Sequence, residues 1–194
     1  MGADERRQPW VHAHSLLNGH LDSELDNLAK GIALLEEGLA IQPKLYEARI
    51  YLGHARNLQG DMENACEEFR IVLRSSKELP IRGYALENLG NVYLQLGELQ
   101  DAARCFRRVV QGEVLAQEPR FFTSWFNLGL TYALLGYFEE SLCSFGELHG
   151  GFPEKRGAVA EIVASSKDLA KAMEVNPAFG SAMRERFPEF FETR

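Results

Sequence analysis

The sequence has little cysteine, no long apolar run and no excess of positive charge, and each lack narrows the reading. Three cysteines in 194 residues are an odd number and too few for a disulfide framework. Cys66, Cys105 and Cys143 read instead as small, mostly buried thiols of a cytoplasmic protein. No apolar stretch approaches the roughly 18 residues of a membrane span, so no membrane insertion is expected. The amino terminus is charged and no apolar segment follows it, which argues against a secretory leader. Lys and Arg number 21 against 28 Asp and Glu, for a formal charge of −7. That balance disfavours nucleic acid or an anionic membrane as the main partner. Arg104, Arg107 and Arg108 form at most a local basic patch on one helix.

Catalytic signatures are missing as well. There is no Gly-rich phosphate loop, no H-E-x-x-H and no G-x-S-x-G elbow. His12, His14 and His20 match no zinc-ligand spacing. Glu36-Glu37, Glu67-Glu68 and Glu139-Glu140 are neighbours in sequence, so on a helix they diverge and read as solvated faces. No enzyme, cofactor or metal site is expected.

What the chain does contain is repetition. Trp125-Phe126-Asn127-Leu128-Gly129-Leu130-Thr131-Tyr132 reads W-x2-L-G-x2-Y. If Trp125 takes position 4, the unit starts at Phe122 and places Ser141, Phe145 and Pro153 at positions 20, 24 and 32. A second copy from Gly83 places Leu89, Gly90, Tyr93, Ala102 and Phe106 at positions 7, 8, 11, 20 and 24. A third from Tyr46 places Leu52, Gly53, Ala65 and Phe69 at positions 7, 8, 20 and 24. It departs from the pattern at positions 4 and 11, with Arg49 and Arg56. Gly60, Gly97 and Gly136 all occupy position 15. The apolar positions recur at helical spacing. The small residues at 8 and 20 suit a close helix crossing, and a glycine at 15 ends the first helix of each pair. Asp61 and Glu98 then suit the positive start of the second helix.

This pattern resembles the tetratricopeptide repeat (TPR). The resemblance implies an all-α fold, a right-handed superhelical stack of helix–turn–helix units (an α-solenoid). The spacing varies: Gly53 to Gly90 spans 37 residues and Gly90 to Gly129 spans 39, against roughly 34 in the family. Pro43, Pro80 and Pro119 each precede a repeat start by three residues. The insertions are therefore expected at 74–79 and 111–118, lengthening the second (B) helices or the following loops and projecting from one edge.

The expected organisation is a flexible segment 1–9, one array over 10–176 and a C-terminal cap over 177–194. Within the array, a degenerate repeat over 12–45 has its helices near Trp10–Asn18 and at Glu24–Ile41, the latter capped by Asp22 or Ser23. Repeats follow over 46–82, 83–121 and 122–155. One long amphipathic capping helix is expected over 155–175, then a short helix at Phe179–Arg186.

By resemblance, the first (A) helices line a concave groove through positions 2, 5, 6, 9, 12 and 13. In the first full repeat these are Glu47, Ile50, Tyr51, His54, Asn57 and Leu58. In the second they are Tyr84, Glu87, Asn88, Asn91, Leu94 and Gln95. In the third they are Thr123, Phe126, Asn127, Leu130, Ala133 and Leu134. The expected contact set is Ile50, His54, Asn57, Tyr84, Glu87, Asn88, Asn91, Phe126, Asn127 and Leu130. Asn88 and Asn127 share position 6, where an amide can pair with a peptide backbone; either can instead serve only its own helix or a neighbouring repeat. The carboxylate clamp of some family members needs cations that are replaced here by Ile50, Thr123 and Asn127. Glu47 and Glu87 with Phe126 and Leu130 suggest a ligand of basic character with an apolar anchor.

The function expected is a non-catalytic adaptor for a protein or peptide partner. The alternatives are a self-assembling scaffold, suggested by the aromatic tail Phe187-Pro188-Glu189-Phe190-Phe191, and a regulatory subunit of an enzyme complex.

Overall fold

The structure, a computed structural model, describes residues 24–191. The expected segment 1–9, the helix near Trp10–Asn18, the three histidines His12, His14 and His20 and the caps Asp22 and Ser23 lie outside these residues. The described residues form 11 α-helices and no strand. The chain divides into two compact units, Met1–Val92 and Tyr93–Arg194.

In the first unit the helices are α1 (Glu24–Ile41), α2 (Tyr46–Leu58), α3 (Met62–Ser75) and the greater part of α4 (Leu79–Leu96). Helices α2 and α3 are the A and B helices of one repeat. Gly53 of α2 sits against Phe69 of α3 so closely that a Cβ there would lie 2.7 Å from a ring carbon. Gly60 ends α2 at φ 86°, where two bonds close the turn: Gly60 N–H to Asn57 O at 3.0 Å and Asp61 N–H to Arg56 O at 2.9 Å. The same paired closure follows the repeat pattern at Gly97 and Gly136. Asp61 then caps α3 by accepting from Asn64 N at 3.3 Å, as expected. Glu98 precedes its helix without such a side-chain bond. Between α1 and α2 the core is Leu35, Leu39, Ala48 and Leu52.

The two arginines that break the repeat pattern have a physical reason. Glu68 of α3 is buried, and it accepts from Arg49 Nη1 at 2.7 Å and from Arg56 Nη1 at 3.0 Å. Arg56 Nη2 also reaches Glu36 of α1 at 2.9 Å. Apolar stripe positions have become a charge-balanced network that ties three helices.

The second unit holds α5 (Leu99–Val110), α6 (Glu113–Gln117), α7 (Thr123–Leu134), α8 (Phe138–Gly151), α9 (Arg156–Ser165), α10 (Lys167–Val175) and α11 (Pro177–Arg186). Helices α7 and α8 repeat the A–B crossing, with Gly129 against Phe145. Ser141 replaces the family's alanine, and its buried hydroxyl donates to Gly129 O at 2.8 Å. Arg107 of the expected basic patch is spent within the fold: its Nε donates to Tyr132 Oη at 3.1 Å, and Arg104 pairs with Asp101.

Three expectations are corrected. The first insertion does not lengthen a B helix: α3 ends at Ser75 and α4 starts at Leu79, four residues before its repeat start. Arg82, in that extra turn, donates to Leu73 O and Ser76 O at 2.6 and 2.9 Å, closing the end of α3. The second insertion forms the short helix α6, which buries Val114. The expected capping helix over 155–175 is two helices. Ser166 is extended and its side chain accepts from Leu169 N at 3.3 Å, so a start signal inside an amphipathic run breaks it. Cys66 and Cys105 are buried as expected, while Cys143 is exposed.

Candidate functional site

The expected contact residues separate by burial. Ile50 keeps 6% of its surface, Phe126 6% and Leu130 7%. Phe126 and Leu130 belong to one cluster with Leu142, Phe145, Leu169 and Met173. The apolar anchor inferred from sequence is therefore core, covered in the second unit by α10. Asn127, on the same helix, remains partly exposed.

In the first unit the polar candidates stay at the surface or near it: His54 is exposed, and Asn57, Tyr84, Glu87, Asn88 and Asn91 are partly buried. His54 and Asn57 are three residues apart on α2, and Tyr84, Asn88 and Asn91 follow at intervals of four and three on α4. Each set therefore lies along one helix face.

The two sets meet where the side chain of Asn88 interacts with the His54 ring. Asn88 Nδ2 donates to Tyr84 O at 2.8 Å. The His54 contact favours the protonated ring. Burial by surrounding protein nonetheless dominates and holds the pKa of His54 below its ordinary 6.5. The imidazole is thus a neutral donor–acceptor at neutral pH. The Oδ1 atom of Asn57 is shielded from solvent and accepts no hydrogen bond.

Asn88 thus bonds its own helix and meets the preceding repeat at His54. The sequence pattern did not show the His54 pairing, because it connects side chains 34 positions apart on different helices. The signal was present only as two polar residues at groove-facing positions of successive repeats. The Arg49–Glu68–Arg56 network was likewise announced only by two departures from the pattern.

Two other sequence proposals meet the structure here. No group of three or more His, Cys, Asp or Glu side chains that could hold a metal occurs among the described residues, and no helix among them is long and apolar enough to cross a membrane. The aromatic tail is not a free surface: Phe187 and Phe190 are buried, stacked on each other at 5.3 Å between ring centres. Phe190 also meets Phe145 edge-on.

Comparison with known proteins agrees with this architecture. Residues 83–111 match the tetratricopeptide repeat family model. Curated protein sequences give no match. Among solved structures, the chain is similar to a Podospora anserina protein with nearly identical TPR-like repeats (TM-score 0.68, 19% identity, 98% of this chain and 95% of that one). It is similar to MamA (TM-score 0.62, 16% identity, 89% and 94%). It is also similar to YrrB, a TPR protein with an unusual peptide-binding site (TM-score 0.56, 18% identity, 92% and 90%). With the glycine turns, the close A–B crossings and the matched repeat at 83–111, the chain has the fold of tetratricopeptide repeat proteins.

Proposed function

We propose that the protein is a non-catalytic, cytoplasmic adaptor that holds an extended segment of a partner protein against the A-helix face of its first unit. The observation that carries this reading is the contact between His54 and Asn88, with the partly buried amides of Asn57 and Asn91 on the same two helices. A neutral imidazole and carboxamides offer both donors and acceptors, and an extended peptide presents both in alternation. The resemblance to YrrB, a TPR protein with a peptide-binding site, supports the same use of the fold. The net charge of −7 favours protein over nucleic acid as the partner. An enzyme whose subunit this chain regulates would be one such partner.

The test is affinity capture from native lysate with wild type, a His54→Ala/Asn88→Ala double variant and an Asn127→Ala variant. A protein held by wild type and lost by the double variant, with helicity and melting unchanged, supports the reading. Equal capture by all three forms overturns it. Loss only in Asn127→Ala moves the working surface to the second unit.

A further inference from the structure

The second unit carries a helix of its own on the face that the resemblance assigns to a ligand. Phe126 and Leu130 of α7 hold groove positions, and they share one cluster with Leu169 and Met173 of α10. Leu169 and Met173 are the buried residues of α10, at 1% and 6% exposure. They stand four positions apart, about one helical turn, and so on one face. Lys167, Asp168, Lys171 and Glu174 stay exposed. Helix α10 is thus a nine-residue amphipathic segment seated on α7 through two apolar anchors. Both of its ends are breaks. Ser166 and Asn176 are extended, and each caps the helix that follows it, Ser166 by accepting from Leu169 N and Asn176 by accepting from Phe179 N. Helix α10 can therefore leave the face without unwinding α9 or α11. Nine residues are fewer than the roughly 12–15 that hold a helix in water, so α10 owes its helicity to the face it covers. Helix α11 braces its C-terminal end: a Cβ at Gly180 would lie 2.8 Å from Met173 O.

We infer that α10 is an internal occupant of this face, and that a partner's amphipathic helix with two large apolar side chains four residues apart docks on α7 in its place. Leu169 and Met173 show the spacing and the chemistry that the face takes. A partner helix longer than α10 holds its own conformation, so it can exchange for a segment that does not. The contact is autoinhibitory: the affinity of the partner is reduced by the fraction of molecules in which α10 is seated.

The test uses the full chain and a labelled, capped peptide of residues 166–176, held helical by a side-chain link between positions 167 and 171 and titrated by fluorescence anisotropy. In the chain, Leu169→Ser/Met173→Ser removes both anchors, and Gly180→Ala crowds the brace while leaving the anchors in place. Each variant is expected to bind the peptide about tenfold more tightly than wild type, because the uncovered face is more populated. The same peptide carrying Leu169→Ser/Met173→Ser should bind no form of the chain. In wild type, the amides of α10 should exchange with deuterium about tenfold faster than those of α7. Exchange in α10 as slow as in α7 overturns the inference, and that readout requires no variant to fold. Equal affinity for the two peptides overturns it as well, as does the absence of any gain in both variants when their helicity is kept.

Discussion

Arg49 Nη1 donates to Glu68 Oε2 at 2.7 Å, and the bond stands where the repeat pattern has an aromatic side chain. Arg56 completes the grip on the other carboxylate oxygen. Removing the anion alone leaves two guanidiniums facing each other across a partly dry site. Breaking a buried pair costs roughly 3–5 kcal/mol, but these arginines keep 18% and 20% of their side chains exposed. Glu68→Gln is therefore expected to lose about 2 kcal/mol after discounting for solvent screening. The triple variant Arg49→Trp/Arg56→Tyr/Glu68→Leu, which restores an apolar stripe, should recover most of that. Urea denaturation of the three proteins checks it; a triple variant no more stable than Glu68→Gln would mean the network has no apolar equivalent here.

The glycines separate into two kinds with different expected costs. At Gly53 a Cβ meets the Phe69 ring at 2.7 Å, and the ring is fully buried and cannot retreat. Gly53→Ala should cost about 2–3 kcal/mol through overpacking. Gly97 has open space around it, but its φ is 75°. Gly97→Ala should cost only about 1 kcal/mol, from backbone strain. Thermal melts of the two variants should rank in that order, and larger loss at Gly97 would contradict the crossing argument.

These positions also show what was legible in the sequence. Glycine at position 15 and the small residues at 8 and 20 depend on local backbone and pairwise crossing geometry, which recur with the repeat and can be counted. Ser166, which breaks the capping helix, was visible as a residue type. Its choice between helix interior and cap depended on how α9 and α10 pack, which no local pattern records. Burial of Ile50, Phe126 and Leu130 was missed for the same reason. Groove positions in a repeat remain open only where no later element covers them, and α10 covers those of α7.

The pH behaviour of His54 follows from its surroundings. Its folded-state pKa is held below the unfolded value of 6.5, chiefly by desolvation. The unfolded chain therefore binds the proton more readily, and the contribution of this residue to stability is complete above 6.5. It is lost progressively as pH falls below that value towards the folded pKa. Imidazole resonances followed by NMR should place His54 below a solvent-exposed histidine. Asn88→Leu keeps the volume but removes the bond that favours the charged ring, so the His54 pKa should drop further. A rise would mean that the Asn88 contact disfavours the charged ring.

The tail of the second unit provides the sharpest contrast between folding and assembly. Phe190 keeps only 2% of its surface. It lies 5.6 Å from the His149 ring and 6.4 Å from Phe145, ring centre to ring centre. His149 Nε2 meets Glu189 Oε2 at 3.2 Å across the edge of this cluster. The aromatic contacts are interior and the His149–Glu189 contact is half-exposed, so they should respond differently. Phe190→Ala is expected to destabilise the second unit by about 3 kcal/mol, the usual cost of emptying a buried phenylalanine site. Glu189→Gln should leave the tail docked. In neither variant should the mass measured by light scattering change, because a ring packed against its own α8 cannot also join two copies. Loss of an oligomer in Phe190→Ala, with the melting temperature unchanged, would reverse the assignment and make the tail an assembly element.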